Sequence, residues 1–131
     1  MKKLVVICLI ILSIVGLGIY ESVVSIRTYN EIIDNGKKLE VALNIASDNI
    51  SKDENVIKLL DKIEKKWNEF KVFALAFANH TQIKDFTQKV AMLKGYIEND
   101  DKKESIVSLY MLISSAEFLS REFMIIYENI L

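Results

Sequence analysis

A chain of 131 residues with no proline, four glycines and one cysteine has room for a single domain, and it excludes a turn-rich sheet fold and an internal disulfide. Its 17 basic and 18 acidic side chains nearly cancel, and outside the first 20 residues the balance is 15 basic to 18 acidic. That offers no basic stripe for nucleic acid, so no nucleic-acid partner is expected.

Met1-Lys2-Lys3 leads into Leu4–Tyr20, which carries no charge over 17 residues. As a helix this segment is about 25 Å long, near the short limit for crossing a bilayer. Two lysines precede it, and only Arg27 follows soon after, beside Glu21. This bias places the N-terminus inside and the remainder outside, as a single-pass protein of the cell membrane. A cleaved secretory signal is the competing reading, with Gly16-Leu17-Gly18 as the small residues before the cut. The expected division is therefore 1–21 as membrane anchor or signal segment and 22–131 as an extracytoplasmic helical domain. Cys8 has too short an apolar run before it for lipid attachment, so it reads as a lipid-facing or packing residue.

From Ser22 to about Asn49, Val23, Ile26, Ile33, Leu39, Ala42, Ile45 and Ala46 recur roughly at helical spacing, with Asp34-Asn35-Gly36 as a candidate break. One weakened helix and two shorter ones both fit. Ser51 followed by Glu54 has the capping-box pattern, so the next helix is expected to start at Ser51. Its stripe is Val56, Leu59, Leu60, Ile63, Trp67, Phe70, Ala74 and Phe77. Over Val72–Ala78 it becomes apolar on every face, as a helix does when central in a bundle or covered by a partner.

Asn79-His80-Thr81 reads as a hinge or a new cap. Beyond it Ile83, Phe86, Val90, Leu93 and Ile97 alternate in steps of three and four, the narrow seam that antiparallel helices use. Glu98-Asn99-Asp100-Asp101 is a polar turn, and Asp101 with Glu104 caps the final helix. That helix carries Ile106, Leu109, Ile113, Ala116, Leu119, Phe123, Ile126 and Ile130. Short loops make neighbours antiparallel. The fold expected is all-α: an N-terminal transmembrane helix followed by an antiparallel bundle of three or four helices.

Trp67 leading into Phe70, then His80, Ile83, Leu93, Tyr96 and Ile97, then Asn99-Asp100 and a closing amphipathic helix, resembles the bacterial domain-of-unknown-function family 4363. The ending Asn129-Ile130-Leu131 is similar too. The resemblance covers nearly the whole chain and is sharpest from Trp67 to Ile97. It implies a small anchored helical protein of mostly Gram-positive spore formers, and it implies no activity.

A lone histidine, His80, cannot make a multi-histidine metal site, and Asp85 is the only acid near it, so a hinge or cap role is expected. Trp67 keeps step with Ile63, Phe70 and Ala74, which points to a core anchor over an exposed stacking residue. The acidic pairs Asp53/Glu54 and Asp100/Asp101 fall at helix starts, where capping accounts for them. No glycine-rich phosphate loop, Cys/His cluster or serine-nucleophile motif occurs, so no catalytic residue, metal or cofactor is expected. Two apolar runs remain: Val72–Ala78, with Phe73 and Phe77, and Phe123–Tyr127. Burial in the bundle is the leading expectation for both; a homodimer, the bilayer surface or a membrane partner are the others. The function expected is a non-catalytic accessory or interaction protein, joined to the membrane through residues 4–20 and to a protein partner or a second copy through helix faces. A ligand-sensing bundle with a pocket near Trp67 and His80, or a secreted helical protein cut behind Gly18, are the alternatives.

Overall fold

The computed structural model describes residues 1–130; Leu131, which completes the Asn129-Ile130-Leu131 ending, lies outside the described residues. The elements are α1 (Lys2–Ile45), a 3₁₀ turn (Ile50–Lys52), α2 (Glu54–Ala74), α3 (His80–Glu98) and α4 (Lys102–Ile130). No strand occurs among the described residues. α1 and α3 each pack against α2 and α4, which closes a ring of four helices. Tyr20, in the first half of α1, meets Phe73 at the end of α2, whereas Lys102, opening α4, donates to the Ala46 carbonyl just past α1. Successive helices therefore run antiparallel. The protein is an all-α, four-helix bundle.

α1 is one helix of 44 residues, about 66 Å long. The candidate break at Asp34-Asn35-Gly36 does not form. Gly36 stays helical and is buried on α4, where an added Cβ would lie 2.9 Å from Ile113 Cγ1. Residues 1–17 are exposed, and full burial of α1 begins at Ser22. Its inner face is Ser22, Ser25, Thr28, Tyr29, Ile32, Ile33, Gly36, Leu39, Ala42 and Leu43. Small and polar residues carry much of that face, so an apolar count drifts off it: Val23 and Ile45 lie outside. α4 answers with Ser105, Ser108, Ala116 and Ser120 among its buried residues. Small side chains on both helices let their backbones come close.

The start of α2 is capped by Asp53, whose carboxylate accepts from the Asn55 and Val56 amides at 3.0 and 3.1 Å. Ser51 is therefore not the cap. It lies in the 3₁₀ turn and donates its backbone N–H to Asp100 Oδ1 at 2.8 Å. α2 ends at Ala74, so Phe77 lies in the connection beyond it and not on a helical stripe. Asn79 caps α3 through the Thr81 amide at 2.9 Å. All five seam residues of α3, from Ile83 to Ile97, are buried.

α3 stops in a Schellman arrangement: Asp101 N–H reaches the Tyr96 carbonyl at 2.9 Å, and Asp100 N–H reaches Ile97 at 3.1 Å. Asp100 holds the left-handed position at φ 57°, where glycine is usual. Asp101 then caps α4 through the Glu104 amide at 3.1 Å. The α4 stripe is buried from Leu109 to Leu119, half-buried at Phe123 and exposed at Ile126 and Ile130.

Candidate functional site

The interior of the ring is filled by aromatic rings from all four helices. Trp67 is 1% exposed; its ring lies 4.4 Å from Phe86, 5.8 Å from Phe70 and 6.3 Å from Tyr29. Tyr29 also meets Phe70 at 5.6 Å, Phe86 at 5.5 Å and Phe123 at 6.3 Å. Trp67 Nε1–H donates to Thr87 Oγ1 at 3.0 Å, and the Thr87 hydroxyl donates to the Ile83 carbonyl at 2.7 Å. The indole therefore has no free polar edge to offer a ligand. Burial, with the Glu122 carboxylate adding to it, holds the Tyr29 phenol well above its ordinary pKa. Tyr29 is the hub of this cluster, although no sequence motif marks it; a lone tyrosine between Thr28 and Asn30 carries no apolar signal.

Below Trp67 the aromatics descend α2 as a ladder. Phe70 and Phe73 stand 6.0 Å apart, Phe73 and Phe77 5.3 Å, and Tyr20 of α1 closes on Phe73 edge-on at 5.9 Å. The ladder begins in the core and finishes outside it, with Phe77 49% exposed. Here the expected burial of Val72–Ala78 is corrected in part: Ala74 is buried and Phe73 and Ala78 pack on the core, but Val72 is 73% exposed and Leu75 also faces out. The helix ends at Ala74, and Ala76, Phe77 and Ala78 fold back through backbone bonds to Phe73 and Ala74, so the run makes a corner where no neighbour covers it. The second apolar run behaves alike. Phe123 packs on the core and Tyr127 is half-buried, but Met124, Ile125 and Ile126 are exposed.

These two runs meet at one end of the bundle. A Cβ added to Gly18 would touch Ile130 Cδ1 at 3.7 Å, so the α4 tail reaches the level at which Tyr20 meets Phe73. Between the α2–α3 corner and the α4 tail lies a cleft of about 510 Å³, with Phe77, Phe123, Ile125 and Ile126 as apolar walls and Glu21, Gln82 and Glu122 as polar lining. Gln82 donates to Glu122 at 3.2 Å.

Two residues that the sequence singles out are not gathered with the rest: Tyr96 is half-buried toward the opposite end of α3, and His80 is exposed as the first residue of that helix. Asn79 does the capping beside it. Asp85 pairs with Lys89, and among the described residues no group of three or more His, Cys, Asp or Glu is placed to hold a metal ion.

A further surface has no counterpart among the stripes read from the sequence. α4 exposes Val107, Tyr110, Met111, Phe118 and Ile125 on the side away from its buried stripe. A shallow depression of about 560 Å³ runs along it between Lys89, Tyr110, Met111, Ser114, Ser115 and Phe118. The steps from 107 to 111, 114, 118 and 125 keep helical register, a second stripe that a search for one stripe passes over.

α1 is long and apolar enough to cross a membrane by length and composition, and the apolar window that qualifies it is wholly unburied. Compared with known proteins, the chain matches one family model, a domain of unknown function (DUF4363), over residues 26–130. No curated protein and no solved structure matches it.

Proposed function

We propose that this chain, which belongs to the domain-of-unknown-function family DUF4363, is a membrane-anchored, non-catalytic interaction protein whose bundle presents α4 to a helix of another membrane protein. One observation carries the reading: α4 is apolar on two sides, and only one of them is used by the fold. Leu109, Leu112, Ala116 and Leu119 are buried, while Met111 is 50% and Phe118 60% exposed on the opposite side. A helix with that composition is short of one partner.

The exposed first half of α1 supports the anchored part of this reading. Residues 4–17 of its uncharged run are exposed, and the run continues without interruption, through Tyr20 where it meets Phe73, into the buried face of the same helix. A cut behind Gly18 falls within that continuous helix, which favours the anchor over a removed signal. The N-terminal lysines orient the bundle outside the cytoplasm. The ligand-sensing alternative draws no support from Trp67, whose surroundings are filled with rings, or from His80, which stands apart from it.

The test places a photoreactive residue at Met111 or at Phe118 in a C-terminally tagged chain in its native membranes, with Lys58 on α2 as control. The expected result is one discrete adduct from both α4 positions and none from Lys58, with the chain recovered at full-length mass. Absence of an adduct from a chain that proves monomeric in mild detergent would contradict the reading.

A further inference from the structure

The α2–α3 corner and the α4 tail are far apart in sequence, and neither is required to be apolar by the core. Both nevertheless end at the level of Gly18–Glu21, where the exposed arm of α1 leaves the bundle. Val72, Leu75, Phe77, Ile125, Ile126 and Ile130 thus form a collar of exposed apolar side chains around the root of that arm. From these positions we infer that the base of the bundle is seated in the lipid surface from which α1 emerges, with the collar in the interfacial layer. This inference rests on the anchored reading of α1.

Three features argue for lipid as the occupant. First, α1 is one helix from Lys2 to Ile45, so the direction of its arm fixes the direction of the base. Whatever surrounds Leu4–Tyr20 also faces the collar, and a soluble partner would have to occupy the same volume as the bilayer. Second, the uncharged run is about 25 Å long, whereas a hydrocarbon core is about 30 Å thick. An apolar base sinking by roughly 5 Å removes that mismatch with no stretch or tilt of the helix. Third, the polar groups at this level suit an interface. Glu21 is half-buried and lines the cleft together with Gln82 and Glu122, which gives its carboxylate polar company at this level. Tyr20 is 59% exposed at the end of the run, where amphipathic rings collect at membrane boundaries. Glu128, exposed on the α4 tail, has the side-chain length to reach headgroups.

The collar does for the bundle what an interfacial amphipathic helix does for a peripheral protein. It restricts how the domain tilts on its anchor, and so keeps the outer side of α4 upright and lateral. In that position it faces the extramembrane stem of a neighbouring membrane protein.

The test uses the full chain in vesicles of phosphatidylcholine and phosphatidylglycerol. In a Cys8→Ser background, Ile10→Cys, Phe77→Cys, Ile126→Cys and Ile45→Cys are spin-labelled singly, and collisions with oxygen and with a neutral nickel chelate are compared. Leu75→Cys, exposed in the same corner, takes the place of Phe77 should that variant not fold. The expected result is a deep label at 10, and an oxygen-to-nickel ratio at 77 and 126 several-fold above that at 45. A deep label at 10 with 77 and 126 as aqueous as 45 would overturn the collar alone. Shielding of 77 and 126 from both reagents would overturn it in favour of a second copy of the chain. An aqueous label at 10 would overturn the anchored reading itself.

Discussion

The two ends of the bundle solve the same problem in opposite ways. At the far end, the chain passes from α1 to α2 and from α3 to α4, and the freed backbone groups are tied by charged side chains. Asp53 and Asp101 cap helices, Asp100 accepts from the Ser51 amide, and Lys102 donates to the Ala46 carbonyl at 2.8 Å. At the end where the arm leaves, one cap from Asn79 serves the only connection, and Val72, Leu75, Phe77, Ile125 and Ile126 are exposed beside the polar lining of the cleft. Water suits the first end better than the second. The difference teaches that the bundle has a built-in polarity along its axis, aligned with the apolar half of α1.

The largest expected effect lies between the two ends and calibrates them. Trp67→Ala removes the indole from the ring cluster and should cost about 3–5 kcal/mol of stability in a denaturant melt, loosening both ends together. A cost below about 1 kcal/mol would mean that the core is less filled than its ring distances indicate.

Next come the two helical glycines in the bundle. Gly36→Ala puts a methyl against Ile113 Cγ1, and overpacking of about 1–3 kcal/mol should outweigh the gain of up to about 1 kcal/mol in helix propensity. Ile113→Val in the same chain should restore part of the loss. Gly95→Ala meets nothing within 4 Å and should stabilise by up to about 1 kcal/mol, which a paired melt will show.

Removing one cap at each end sharpens the comparison. Asp53→Ala and Asn79→Ala should each cost about 1 kcal/mol, and amide exchange should rise near the altered cap first. If Asp53→Ala instead opens the Ala76–Ala78 corner equally, the ends are not separable.

The smallest effect is one of pH, and it belongs to the far end. The Ser51 amide holds the Asp100 carboxyl below its usual range, so this contribution is complete above the unfolded carboxylate pKa of about 3.9 and is lost as pH falls through the lower folded value. Below about pH 4 the far end should therefore lose amide protection before the collar end does. Asp100→Asn, which tolerates the left-handed backbone, should flatten this trend.

Much of the fold was readable from residue patterns. The α3 seam, the Asp101 cap and the burial of Trp67 follow from spacing and capping chemistry that local sequence controls. The sequence left the continuity of α1 open, because Asp34-Asn35-Gly36 is a candidate break and only the approach of Ile113 explains a buried helical glycine there. The Ser51-Glu54 box lost to Asp53, since the Ser51 amide is committed to Asp100, 49 residues away. The buried serines of α1 hid its inner face, as hydroxyl groups count as polar in any periodicity. The apolar surplus was visible as two runs, but which surface they share depends on where the corner and the tail end in space. That needed the fold.

The central claim is that α1 passes from lipid into the bundle core as one helix. Labelling with a membrane-impermeant maleimide in intact cells tests it directly, using Lys2→Cys, Ile10→Cys and Val41→Cys singly in the Cys8→Ser chain. The account expects modification at 41 in intact cells, at 2 only after permeabilisation, and at 10 under neither condition. Modification at 10 in intact cells would contradict it.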